Sequence, residues 1–214
     1  MKGAHAYVRL EYFGWSFFLV QSPESKRILF DPVYTKLSGV SYATPEDCAG
    51  SDFIFVSHPH YEHFIDTGKI LESSSATLIA SPEICEYMIR RFNVSVERTI
   101  SIKSGESVRR KDLDFEGFLW MHRRINYLKF LRNPVQLAEF LWYNLFRTCR
   151  VGPTMGVNIQ MENKVNLCNY SEGFSDLANY EDMKKLGETL HLDIVIAGCQ
   201  LNFEEHVARG IQTL

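Results

Sequence analysis

The stretch Ser57-His58-Pro59-His60-Tyr61-Glu62-His63 sets three imidazoles and a carboxylate within six residues. With 7 histidines in 214 residues, three at fixed positions arise by chance about 1% of the time over the whole chain, so the spacing asks for an explanation. Neutral imidazole is a preferred ligand of zinc and other transition metals, and carboxylate suits harder ions such as manganese. His58 and His60, two apart on an extended segment, can point the same way and grip one ion. Glu62 and His63 follow as the chain turns into a helix and so face a second position beside the first. The competing reading is a histidine-rich surface loop, or a core histidine bonded to backbone. His5, His191 and His206 have no partner residues nearby in sequence and read as ordinary histidines.

The elements around this cluster must hold it in place. Asp52–Ser57 is a short, nearly all-apolar run, as expected of a strand buried on both faces. Its far end runs straight into the histidines, and loops beyond the C-terminal ends of buried strands are where binding groups gather. Upstream, Ala6–Phe13, Phe17–Gln21 and Arg27–Phe30 alternate as strands, the last ending at Asp31-Pro32. Downstream, Thr67–Ser73 predicts a helix, Thr77–Ala80 a strand, and Pro82–Phe92 a helix with proline in its first turn. Thr99–Ile102, Glu106–Arg109 and Leu113–His122 continue as strands. Gly156–Glu162 and Val165–Cys168 form a hairpin about Glu162-Asn163-Lys164. Tyr180–Leu190 is a helix, Ile194–Ala197 a buried strand and Glu204–Thr213 a last helix.

Composition narrows the classes. Hydrophobic residues make up 45% and the net charge is −3, which excludes a mainly disordered chain and argues against a nucleic-acid binder with a basic surface. No apolar run approaches the roughly 18–20 residues of a membrane-spanning helix, and no signal peptide is evident, so a cytoplasmic protein is expected. Five scattered cysteines, Cys48, Cys85, Cys149, Cys168 and Cys199, include no Cys-x-x-Cys pair and read as reduced, mostly buried thiols. Residues 123–150 differ: Arg123, Arg124, Lys129, Arg132, Arg147 and Arg150 stand against Glu139 alone, among many aromatic and aliphatic residues. This basic aromatic insertion reads as one or two amphipathic helices broken near Asn133-Pro134. It either packs against the domain or a second subunit, or forms a lid or membrane-surface pair that presents an acidic or lipid-like substrate.

Three features together resemble the metallo-β-lactamase superfamily, in its ascorbate-6-phosphate lactonase-like and N-acyl-phosphatidylethanolamine phospholipase D-like branch. They are Tyr12-Phe13-Gly14-Trp15-Ser16 with Ile28-Leu29-Phe30-Asp31-Pro32; Asp52–Ser57 leading into His58-Pro59-His60-Tyr61-Glu62-His63; and Trp120-Met121-His122 with the later Gly152-Pro153-Thr154-Met155-Gly156-Val157. The resemblance implies an α+β fold, the four-layer αββα sandwich, as one domain over residues 1–214 with the insertion at 123–150. It implies a first metal site from His58, His60 and His122, and a second from Glu62 and His63. The family's bridging aspartate, from a Thr-Gly-Asp motif, is matched to Ser171 in Cys168-Asn169-Tyr170-Ser171-Glu172-Gly173, with Asn169 as another substitute. The final strand, with its histidine, is expected to be missing. Glu62 replaces the usual aspartate, and Trp15 stands where related sequences often carry histidine.

The cofactor expected from this pattern is Zn²⁺, one ion rather than two, with Mn²⁺ or Fe²⁺ as alternatives. The function implied is hydrolysis, through a metal-bound hydroxide, of a phosphate-bearing ester, lactone or phosphodiester, with Glu62 as general base. Asp31 would orient a ligating imidazole, or else simply cap the turn before Pro32. The alternative is a degenerate, non-catalytic relative serving as a binding or interaction module.

Overall fold

The computed structural model describes residues 7–36, 42–122, 133–146, 152–198 and 204–214. Of the 123–150 insertion, only 133–146 therefore falls within the described residues. Two twisted sheets stack face to face. The first has six strands in sequence order: β1 (Arg9–Gly14), β2 (Phe17–Gln21), β3 (Arg27–Phe30), β4 (Phe53–Phe55), β5 (Thr77–Ala80) and β6 (Thr99–Ser101). β1 to β3 form an antiparallel meander, and β3 to β6 run parallel. The second comprises β7 (Ser107–Arg110), β8 (Leu113–Leu119), β9 (Met155–Gln160), β10 (Asn166–Ser171) and β11 (Ile194–Ala197), in the spatial order β11-β10-β9-β8-β7.

Strand periodicity accounts for the layers, since alternate residues leave opposite faces. Val20, Ile28, Phe30, Phe53 and Phe55 from the first sheet meet Leu113, Phe115, Val157, Ile159 and Leu167 from the second in a fully buried seam. The other face of the first sheet, through Leu29, Ile54 and Leu78, packs on α2 (Thr67–Ser73) and α3 (Pro82–Phe92) by way of Leu71, Ile84 and Met88. Helix α3 starts as its residues dictate: the Ser81 hydroxyl caps the Ile84 amide, Pro82 opens the first turn, and left-handed Asn93 closes the end. On the far face of the second sheet, Cys168, Tyr170 and Phe174 are covered by α5 (Tyr180–Leu190) and α6 (Glu204–Thr213) through Met183, Leu186 and Val207. The order is helix, sheet, sheet, helix, the expected αββα sandwich.

Two further helices complete the described α-helices. α1 (Tyr61–Phe64) is a single turn that begins within the histidine motif. α4 (Pro134–Phe146) starts at the predicted break, Asn133-Pro134, and packs against α1. None of the described helices is long and apolar enough to cross a membrane.

Candidate metal centre

Four strand ends converge at one edge of the sandwich. Phe30 at the end of β3 hands on to Asp31, and Phe55 at the end of the neighbouring β4 to Val56-Ser57-His58. In the second sheet β8 and β10 both run antiparallel to β9 and so point the same way, into His122 and Glu172. The sheets are tied at this mouth, where the Met155 amide donates to the Ser57 carbonyl at 2.8 Å.

The imidazoles predicted to act together are together. His58 and His60 set Nε2 and Nδ1 3.1 Å apart. The His122 ring centroid lies 5.2 Å from that of His58 and 4.7 Å from that of His60. His63 packs on His58 at 4.0 Å. Two donor triads result: His58, His60 and His122, and His58, His63 and Glu172, each with its ligand atoms within 4.8 Å of one another. Donors bound tetrahedrally at zinc–nitrogen distances lie roughly 3.4 Å apart, so the first pair is already at ligating separation. Trp120 walls the cluster, perpendicular to His58 and stacked along His122.

A buried carboxylate orients these rings. Asp31, wholly buried and at φ 46°, accepts the Ser57 amide at 2.7 Å on Oδ1. Its Oδ2 accepts the Ser57 hydroxyl at 2.7 Å and lies 2.8 Å from His63 Nδ1. Ser57 Oγ in turn lies 2.9 Å from His58 Nδ1 and accepts the Ser171 hydroxyl at 3.2 Å. With Nδ1 of both rings turned to this network, Nε2 of both is the nitrogen left for a ligand. Burial alone pulls the His63 pKa down; the charge and hydrogen bond of Asp31, then Glu172 and Glu62, outweigh it and raise it to about 9.

Ser171 and Asn169, the residues matched to the bridging position, lie in the hydrogen-bond network behind the histidines. Ser171 does not offer the bridging carboxylate. It is buried, left-handed at φ 48°, and bonded to Ser57. The register of β10 against β11 shifts between Asn169 and Ser171, and this bulge turns the next residue into the mouth. That residue is Glu172, which sequence reasoning passed over: its Oε1 is 3.9 Å from His63 Nε2 and its Oε2 3.7 Å from His122 Nε2. One carboxylate thus spans imidazoles of both triads. Asn169, the other candidate substitute, is buried and caps the Ser171 amide at 2.8 Å. Glu62 follows His60 on α1 but belongs to neither triad. Aligning Ser171 with the motif's glycine instead of its aspartate sets acid upon acid, and the left-handed φ of Ser171 fits that alignment.

The two-sheet sandwich, with donors at the strand ends of one edge, is the metallo-β-lactamase fold. Among solved structures, the metallo hydrolase Igni18 of Ignicoccus hospitalis superposes with a TM-score of 0.68 at 19% identity, covering 96% of this chain and 78% of that one. In sequence, 109 residues are 31% identical to a UPF0173 metal-dependent hydrolase of Methanosphaera stadtmanae. That stretch is 49% of this chain and spans 46%, less than half, of the relative's length. A UPF0173 metal-dependent hydrolase of Rubrobacter xylanophilus matches over 191 residues at 24% identity, 88% of this chain and 68% of the relative. No protein-family model matches.

Proposed function

We propose that this chain is a metal-dependent hydrolase whose first ion is held by His58, His60 and His122, with His63 and Glu172 forming a second, weaker position. The observation that carries the reading is Glu172, one carboxylate set between imidazoles of both triads. The donor set, imidazole nitrogens plus one carboxylate, fits zinc best and admits manganese or iron. When bound, such an ion makes water acidic enough to ionise near neutral pH and polarises the bond under attack. His58 can give its Nε2 to one ion only, because Nδ1 faces Ser57. The second position then keeps two donors, which supports one tightly held ion per chain.

The protein's own groups do the rest. Asp31 and Ser57 hold the rings of His58 and His63 in one tautomer. Glu62, on α1 beside the ligands but outside the triads, serves as general base for the attacking water. Helix α4 lies against α1 with Val135, Leu141, Trp142 and Leu145 exposed, and six Arg and Lys bracket it in sequence. The exposed apolar face of α4 and the basic sequence around it support a substrate of the phosphate-bearing ester, lactone or phosphodiester class, lipid-like ones included, with peripheral membrane contact through 123–150.

The test is metal analysis joined to turnover. His58→Ala is expected to lose both ion and activity. Glu62→Gln keeps most of the ion and loses about 10²–10⁴-fold in turnover, the usual cost of a missing general base. Deleting 126–146 keeps the ion and abolishes liposome binding or raises KM. Wild type and His58→Ala equally inert on phosphodiesters, lactones and phospholipids with Zn²⁺ or Mn²⁺ would replace the hydrolase with a non-catalytic binding module.

A further inference from the structure

Away from the metal centre, strand β1 is the least finished part of the sandwich. It is an outer strand of the six-stranded sheet. Leu10 and Tyr12 are 42% and 60% exposed, although their cross-strand neighbours Val20 and Phe18 belong to the seam between the sheets or pack against it. The apolar inner face therefore runs on past what the second sheet covers. The outward backbone groups of β1 can be identified as well. The Ser22 amide donates to the Lys26 carbonyl, so even-numbered residues of β2 bond β3 and odd-numbered ones bond β1. Their partners Arg9 and Glu11 therefore face β2. Val8, Leu10 and Tyr12 aim their N–H and C=O outward, up to the bulge before Gly14, where the Phe13 carbonyl accepts the Tyr42 amide at 3.0 Å.

We propose that a second copy of this chain docks here, β1 against β1, antiparallel about a two-fold axis through Leu10. Charge selects this register. An axis through Arg9 or Glu11 sets like charges opposite each other. An axis through Leu10 sets Arg9 opposite Glu11 twice, in non-hydrogen-bonded pairs whose side chains approach closely, while the outward-facing Leu10 and Val8 exchange backbone hydrogen bonds with Leu10 and Tyr12 of the other copy. On the inner face, Val8 then meets Tyr12 of the other copy and Leu10 meets Leu10, which joins the two uncovered apolar flanks. Within each copy Arg9 and Glu11 are already paired side by side at 2.9 Å, so the dimer closes a ring of four alternating charges. The contact is isologous and self-limiting, and it removes an exposed sheet edge.

Cross-linking and mass measurement test it. Directly opposed residues of a hydrogen-bonded antiparallel pair have Cα atoms about 5.5 Å apart, within disulfide range. Leu10→Cys should therefore oxidise to a covalent dimer while Arg9→Cys, placed opposite Glu11, should not. By light scattering at high micromolar concentration the wild type should be a dimer. Arg9→Glu and Glu11→Arg, each checked for native circular dichroism, should dimerise at least tenfold more weakly, and the double reversal should recover. A wild type that stays monomeric, a Leu10→Cys chain that forms no disulfide dimer, or a dimer indifferent to both reversals would each overturn the proposal.

Discussion

At the scale of single residues, Asp31 has the widest reach, because one carboxylate holds the His63 ring directly, the His58 ring through the Ser57 hydroxyl, and the Ser57 amide between them. Replacing it by asparagine keeps an acceptor for the Ser57 amide and a residue that tolerates φ 46°. It gives up the acceptor that fixes the His63 tautomer. Asp31→Asn should therefore fold and bind metal about 10–100-fold more weakly, the usual cost of losing a partner behind a ligating histidine. Alanine should do worse, since it also leaves buried donors unmade at about 1–3 kcal/mol each; competition with a chelator and a melting curve separate the two effects. The thiols make a simpler prediction. Burial, with Asp47 and Asp66 nearby, pushes Cys48 up to about 12, and burial pushes Cys85 up to about 12 and Cys168 higher still. Since the thiolate is the nucleophile, none of these three should be alkylated by iodoacetamide at pH 8 in the native chain, and all should react once denatured. Peptide mapping reads the outcome, and rapid native labelling would contradict the buried placement.

At the scale of elements, β8 carries His122 to the mouth, and it can do so because position 117 has no side chain. A Cβ on Gly117 would lie 2.7 Å from the Lys103 carbonyl, a backbone atom that cannot rotate away. Gly117→Ala would gain about 0.4–1 kcal/mol by restricting the unfolded chain, yet overpacking costs about 1–3 kcal/mol. A net loss of stability is expected, read as an earlier midpoint in urea, with metal affinity falling as His122 shifts. Periodicity and caps made most elements legible before any coordinates: β2, β3, β5, α2, α3, α5, β11 and α6 begin and end where apolar spacing and turn residues place them. The motif imidazoles were legible for the same reason, since His58 and His60 leave a buried strand two residues apart. What spacing could not convey was the bulge in β10. Whether Ser171 or Glu172 faces the histidines depends on a left-handed φ at a serine, and no propensity requires one there. A one-residue slip at a strand end reverses which side chain points inward, so Glu172 went unremarked while the strand itself was found.

For the whole molecule, the donors divide between the sheets: His58, His60 and His63 follow β4, while His122 and Glu172 follow β8 and β10. An ion held there links the two halves of the sandwich at the end where the Met155 amide and the Thr154 hydroxyl already join strand to loop. Unfolding separates these groups, so metal affinity is also folding free energy. A ligand present at 100 times its Kd stabilises the native state by about 2.7 kcal/mol. For chains of about 150–250 residues each kcal/mol moves Tm by about 2–4 °C, which gives an expected rise of roughly 5–11 °C when Zn²⁺ is added to chelator-treated protein. The same rise should survive in Glu62→Gln, whose carboxylate lies outside both donor triads, and vanish in His58→Ala, which removes the ring they share. A metal-induced shift as large in His58→Ala as in wild type would place the ion elsewhere on the chain and detach the fold's stability from this centre.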